Sequence, residues 1–128
     1  MADPAGPDVA LVHIVEDDAD VRDALAVLLE IRGIDVREHA SARAFLDALP
    51  GLARGCVVTD VEMPGMSGLD MLASLRDLSL DWPAVVITGR KAAHTAEAAA
   101  RLGADFLEKP FPPEALVEAI TRGLAAGG

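Results

Sequence analysis

An α/β fold, a (βα)5 doubly wound parallel sheet of strand order 2-1-3-4-5, follows from three features of the sequence. Three short runs, Val9–Val15, Cys56–Thr59 and Ala84–Thr88, are almost continuously apolar, as strands buried on both faces of a parallel sheet must be. Two others, Asp35–His39 and Asp105–Glu108, alternate or mix apolar with charged residues, the marks of edge strands. Segments of helical period follow each strand, and right-handed crossovers then set helices on both faces. The order 2-1-3-4-5 puts the second and fifth strands at the edges, where their polarity already assigns them.

The elements follow in turn. Residues 1–8 carry two prolines and a glycine and read as a loose tail. After the first strand, Val21, Leu25, Leu28 and Leu29 form one apolar stripe, closed by Gly33 as a C-terminal signal. Ser41 caps a second helix that buries Phe45, Leu46 and Leu49. Met71, Leu72, Leu75 and Leu78 mark a third, and the alanine-rich stretch 92–102 a fourth with a weak packing face. Pro113 suits the first turn of a fifth, which buries Leu116, Val117, Ile120 and Leu124.

Composition excludes several classes of function. With 128 residues the chain makes one domain with its own core, and its lone Cys56 rules out an internal disulfide or a cysteine-based zinc cluster. A net charge of −10 repels nucleic-acid backbones and anionic lipid. No run approaches membrane-spanning length, and the first residues lack the basic and apolar parts of a signal peptide. The expectation is a cytoplasmic domain that touches neither nucleic acid nor membrane.

In a doubly wound sheet, ligands bind outside the carboxyl ends of the strands, beside the switch point between strands one and three. Strand one ends in Glu16-Asp17-Asp18, strand three in Asp60, strand four in Thr88 and strand five in Lys109-Pro110. Singly each has an ordinary reading: an aspartate there caps a helix, a threonine closes a strand, a lysine is solvated. Together they share one cleft. Clustered acids repel unless a cation joins them, and oxygen ligands without sulfur suit Mg2+ before Zn2+. A lysine and a hydroxyl beside them complete what a phosphoryl group requires. Asp60, the most central, is then the nucleophile, with Glu16 and Asp17 holding Mg2+ and Lys109 and Thr88 binding phosphoryl oxygens. A cis bond before Pro110 would aim the Lys109 amine inward.

The segments Val12–Asp18 (VHIVEDD), Val58–Gly68 (VTDVEMPGMSG), Val86–Gly89 (VITG) and Gly103–Phe111 (GADFLEKPF) occur in an order that resembles the receiver domain of two-component response regulators. The wording is most similar to receivers of nitrogen-fixation-type transcriptional regulators. The likeness spans about residues 9–125, leaving 126–128 as a short tail. It implies that Asp60 is the phosphoacceptor, that Asp17 ligates Mg2+ directly with Glu16 beside it, and that the Glu62 backbone carbonyl is a further ligand. It makes Phe106 the aromatic switch residue, and Glu62 and Arg90 the positions that tune phosphoryl lifetime; these two either pair and partly screen the site from water or stand as two solvated side chains. The implied donor is a sensor histidine kinase or histidine phosphotransfer protein. Phosphorylation would reshape the face of helix four, strand five and helix five, a population shift toward the conformation that binds the phosphoryl group better. The implied outputs are a downstream protein target, an output domain outside this sequence, or a phosphorylation-linked homodimer.

Three departures stand out. Glu16 occupies a place where aspartate is commoner, which suggests a metal held through water. Thr88 and Lys109 are 21 positions apart, one fewer than the resemblance implies, with the gap near Gly103-Ala104-Asp105 ahead of Phe106. Pro112 replaces a frequent capping aspartate. Of the remaining residues, His13 reads as a core histidine, His39 and His94 as exposed, Cys56 as a small buried apolar residue, and Trp82 as remote from the site. The expected role is a signalling phosphoacceptor rather than an enzyme, limited to Mg2+-dependent self-phosphorylation and autodephosphorylation. Alternatives are a pseudo-receiver that binds partners without phosphate, a haloacid-dehalogenase-like phosphatase, for which the nucleophile follows the wrong strand, and a flavodoxin-like cofactor binder, for which aromatic walls are lacking.

Overall fold

A computed structural model describes residues 10–89 and 93–127. Five strands, β1 (Leu11–Val15), β2 (Asp35–His39), β3 (Cys56–Asp60), β4 (Ala84–Thr88) and β5 (Asp105–Glu108), form one parallel sheet in the order β2-β1-β3-β4-β5. The helices are α1 (Ala19–Ile31), α2 (Ala42–Ala48), α3 (Gly68–Asp77), α4 (Ala93–Arg101) and α5 (Pro113–Gly127), with one 3-10 turn at Leu49–Gly51. The fold class and strand order are those read from the sequence. The tail at 1–8, Arg90 and Ala92 lie outside the described residues, and α5 continues past residue 125 to Gly127.

Alternation along each strand divides the core into two layers. Val12 and Ile14 of β1, Cys56 and Val58 of β3, and Val85 and Ile87 of β4 pack against Ala26 and Leu29 of α1 and Leu116 and Ile120 of α5. The intervening residues, Val15, Val57 and Val86, face Phe45 of α2, Met71, Leu72 and Leu75 of α3, and Ala99 of α4. Both faces of β1, β3 and β4 are thereby dry, the reason those three strands read as unbroken apolar runs.

Local signals set the helix ends. Asp18 caps α1 by accepting from the Asp20 and Val21 amides, Ser41 caps α2 through the Ala44 amide, and Ser67 caps α3 through the Asp70 amide. Gly33 ends α1 in the left-handed region at φ 78°.

Two expectations fail. Leu78 is 60% exposed, because α3 stops at Asp77 and the chain turns away through Ser79 at φ 62°. His39 is only 9% exposed, because the last position of β2 lies beside Val15 and beneath Phe45 of α2. An edge strand is open along its outer hydrogen-bonding side, yet its end can still be roofed by the next helix. His94 is exposed and Cys56 buried, as expected; burial pushes the Cys56 thiol up to about 12, leaving it inert.

Candidate phosphoryl-transfer site at the carboxyl edge of the sheet

The register of the sheet decides which residues meet. Val15 pairs with Thr59, Asp60 with Ile87 and Thr88 with Glu108, so the strand ends bring Glu16, Asp60, Thr88 and Lys109 to one edge. Glu16 follows directly on β1. Its amide donates to the His39 carbonyl at 3.1 Å, its carbonyl accepts from the Arg22 guanidinium at 2.8 Å, and its carboxylate accepts from the Asp18 amide at 3.0 Å. Asp17 stands exposed between the buried Glu16 and the capping Asp18. Asp18 is the residue that caps α1, and Asp17 lies close enough to Glu16 for its carboxylate to act on that of Glu16.

Asp60 ends β3 with its side chain 13% exposed. One carboxylate oxygen accepts from the Glu62 amide at 3.2 Å, and the other faces the Lys109 ammonium at 3.7 Å. The Lys109 amide donates to the Thr88 carbonyl at 2.8 Å, tying the two strand ends together, and the Lys109–Pro110 bond is cis. Gly68 opens α3 hard against this corner, where a β-carbon would overlap the Asp60 carbonyl oxygen and crowd the Thr59 hydroxyl. Only glycine lets α3 start this close to the end of β3.

Electrostatics mark the same place. Burial, reinforced by the Asp60 and Asp17 carboxylates and opposed by the Asp18 amide, pushes the Glu16 carboxyl up to about 7. Acids crowded enough to hold a proton near neutrality are a ready seat for a divalent cation. Among the described residues no three acidic, histidine or cysteine side chains are gathered tightly enough to grip an ion alone. Mg2+ keeps several waters and takes one or two carboxylates directly. The donor set fits the ion. A cleft of about 440 Å3 opens beside it, lined by Glu16, Asp60 and Lys109 and by apolar Val21, Leu25 and Phe111.

Phe106 is half-buried on β5, paired with Val86, and therefore shares a sheet face with Thr88 two residue pairs along. Ahead of it, backbone hydrogen bonds close the end of α4. Leu102, Gly103 and Ala104 donate back to carbonyls of residues 98–100, with Gly103 at φ 72°, so β5 enters in register.

Arg90, and with it the expected Glu62–Arg90 pair, lies outside the described residues. Glu62 accepts a hydrogen bond from the buried Thr88 hydroxyl at 3.2 Å. The sequence reading also missed Arg76, whose guanidinium donates to the Leu80 and Leu102 carbonyls, each at 2.8 Å. An arginine in a helix carries no signal of such a tie. Nor did it find the contact between His13 and His39, whose ring nitrogens lie 3.2 Å apart. That pair was legible in principle, since the two residues sit on adjacent strands.

A five-stranded doubly wound sheet with an aspartate, a threonine, a lysine and an acidic pair at its carboxyl edge defines a class of phosphorylated signalling modules. The chain belongs to the response regulator receiver domain family, whose model matches residues 12–121. It is 47% identical over 119 residues to the transcriptional regulatory protein FixJ of Azorhizobium caulinodans, covering 92% of this chain and 56% of that protein. It is 46% identical over 112 residues to FixJ of Rhizobium meliloti, covering 87% of this chain and 55% of that protein. A crystal structure of FixJ-N superposes with a TM-score of 0.85 at 42% identity, covering 98% of this chain and 96% of that one. The chain thus spans about half the length of the curated relatives it matches.

Proposed function

We propose that this receiver domain, residues 9–125, accepts a phosphoryl group on Asp60 from a sensor histidine kinase or a histidine phosphotransfer protein. One observation carries the reading: Asp60 has one carboxylate oxygen held by the Glu62 amide and the other facing Lys109, at the open edge of a central strand. In the transfer, an Asp60 oxygen bonds to phosphorus as the P–N bond of the donor phosphohistidine breaks. That electron pair stays on the imidazole nitrogen, which takes up a proton. Lys109 and the Thr88 hydroxyl would donate to the transferred oxygens.

Glu16 and Asp17, with Asp60 and the Glu62 carbonyl, would hold Mg2+. When bound, the ion neutralises charge on the phosphoryl oxygens and lets dianion and carboxylates approach. Glu16 is tied to the Asp18 amide and is buried, which favours an indirect role through water and leaves Asp17 and Asp60 as direct ligands.

The Thr88 hydroxyl moving to the phosphoryl group, with Phe106 following on the same face, would reshape α4, β5 and α5. That face is the surface for a downstream target, an output domain or a phosphorylation-linked homodimer. The domain works as a cytoplasmic signalling phosphoacceptor whose chemistry is limited to its own phosphorylation and dephosphorylation. Among the described residues no helix is long and apolar enough to cross a membrane.

Intact mass after incubation with acetyl phosphate and Mg2+ tests the reading. One added phosphoryl group, lost with Asp60→Asn and with a chelator, is the expected result. A folded protein that stays unmodified under all conditions would instead favour the phosphate-independent interaction module.

A further inference from the structure

We propose that Glu62 is a positioning residue: its carboxylate holds the Thr88 hydroxyl in the unphosphorylated domain and must release it before Thr88 can serve a phosphoryl group on Asp60. The inference rests on Asp60 being the phosphoacceptor. Glu62 touches both ends of the site. Its amide donates to one Asp60 carboxylate oxygen at 3.2 Å, and its own carboxylate accepts from the Thr88 hydroxyl at 3.2 Å. The backbone is thus pinned at the nucleophile while the side chain arches over to β4.

Two features turn this bridge into a competitor. Thr88 is 1% exposed, so its hydroxyl cannot rotate freely into water, and a hydroxyl has one proton to donate at a time. The Glu62 carboxylate therefore stands in for the acceptor that a phosphoryl oxygen would become. Glu62 itself is exposed and has solvent to swing into. A phosphoryl dianion arriving on Asp60 repels the carboxylate and offers the hydroxyl a more highly charged acceptor. Handing over the proton donor is then one step of the switch, and the strength of the resting bond sets part of its cost. Glu62 acts through Thr88 and touches no reacting atom with its side chain.

A double-substitution cycle read by titration with beryllofluoride, a phosphoryl mimic, in saturating Mg2+ tests this. Glu62→Met is expected to tighten the mimic about three- to tenfold where Thr88 is intact, and by less than about twofold alongside Thr88→Val. Glu62→Gln, which keeps an acceptor oxygen without the charge, should fall between. A second readout needs neither metal nor the threonine substitution: the Thr88 methyl carbon resonance of the metal-free domain should move on Glu62→Met. An equal gain with and without the hydroxyl would mean that Glu62 acts by charge repulsion alone, and would overturn the proposal. So would an unmoved Thr88 methyl. If the wild-type domain takes up no mimic at all, the Asp60 assignment falls, and this inference with it.

Discussion

At the scale of single residues, the site is organised by what surrounds one carboxylate. Asp60 is flanked by a backbone donor and an ammonium, whereas Glu16, which follows the neighbouring strand β1, is buried among other acids. Its carboxyl is raised from 4.5 to about 7, with burial the main cause. The folded state therefore binds a proton between pH 4.5 and 7 that the unfolded state does not. In metal-free protein this stabilising contribution is complete below pH 4.5 and is lost as pH rises through 7. A bound cation reverses the preference, since it needs the carboxylate. Mg2+ affinity should accordingly weaken toward tenfold per pH unit below 7, and Glu16→Gln should flatten that dependence while lowering affinity at pH 8. Calorimetric titration at several pH values checks it. Trp82 lies at the opposite, amino end of β4, and its fluorescence should change little on metal binding.

At the scale of elements, the β1–β2 pair carries a buried histidine contact that the phosphoryl site does not use. His13 Nε2 lies 2.8 Å from the Ala53 carbonyl oxygen, which only accepts, so the proton is on Nε2. His13 Nδ1 must then accept from His39 Nε2, 3.2 Å away. Trp82 stacks on His13, and Phe45 meets both imidazoles edge-on. Burial, then the nearby His13, lowers the His39 pKa from 6.5 to about 4, and burial lowers that of His13 as well. Between pH 6.5 and 4 the unfolded chain takes up protons that the folded chain refuses, so this pair costs stability as pH falls. The sign is opposite to that of Glu16, and subtraction isolates it. Relative to wild type, His39→Leu should lose up to about 1.4 kcal/mol per pH unit of acid sensitivity across that window. Urea unfolding of both proteins at pH 7, 6 and 5 measures the difference.

At the scale of the whole molecule, Arg76 ties the end of α3 to the end of α4 across the sheet face that holds Thr88 and Phe106. Its two carbonyl partners, at Leu80 and Leu102, lie in the turns that lead into β4 and β5. Arg76→Met keeps the bulk of the stem but leaves both carbonyls without that donor. It should cost about 1–3 kcal/mol in unfolding free energy. Amide hydrogen exchange at residues 102–104 should quicken more than in α1 on the opposite face. Equal change on both faces would reduce Arg76 to a general contributor to stability.

What was legible in the sequence had a local cause. Strands dry on both faces have to be apolar throughout, so β1, β3 and β4 declared themselves, and the mixed β2 and β5 fell to the edges. Caps at Asp18, Ser41 and Gly33 were readable because they act on amides and carbonyls within a few residues. The candidate site was readable for a topological reason, since a doubly wound sheet sends the ends of its strands to one edge whatever the side chains are. The remainder depended on side chains meeting across elements. Nothing in the chain near His39 says that α2 will roof it, and nothing near Leu78 says that α3 ends one residue earlier. The Thr88 hydroxyl finding the Glu62 carboxylate, and the Arg76 fork finding two helix ends, are matters of a few ångströms. Periodicity and motif determine which residues share a neighbourhood; packing alone decides which of them touch, because a hydrogen bond is lost within an ångström of displacement that no sequence pattern encodes.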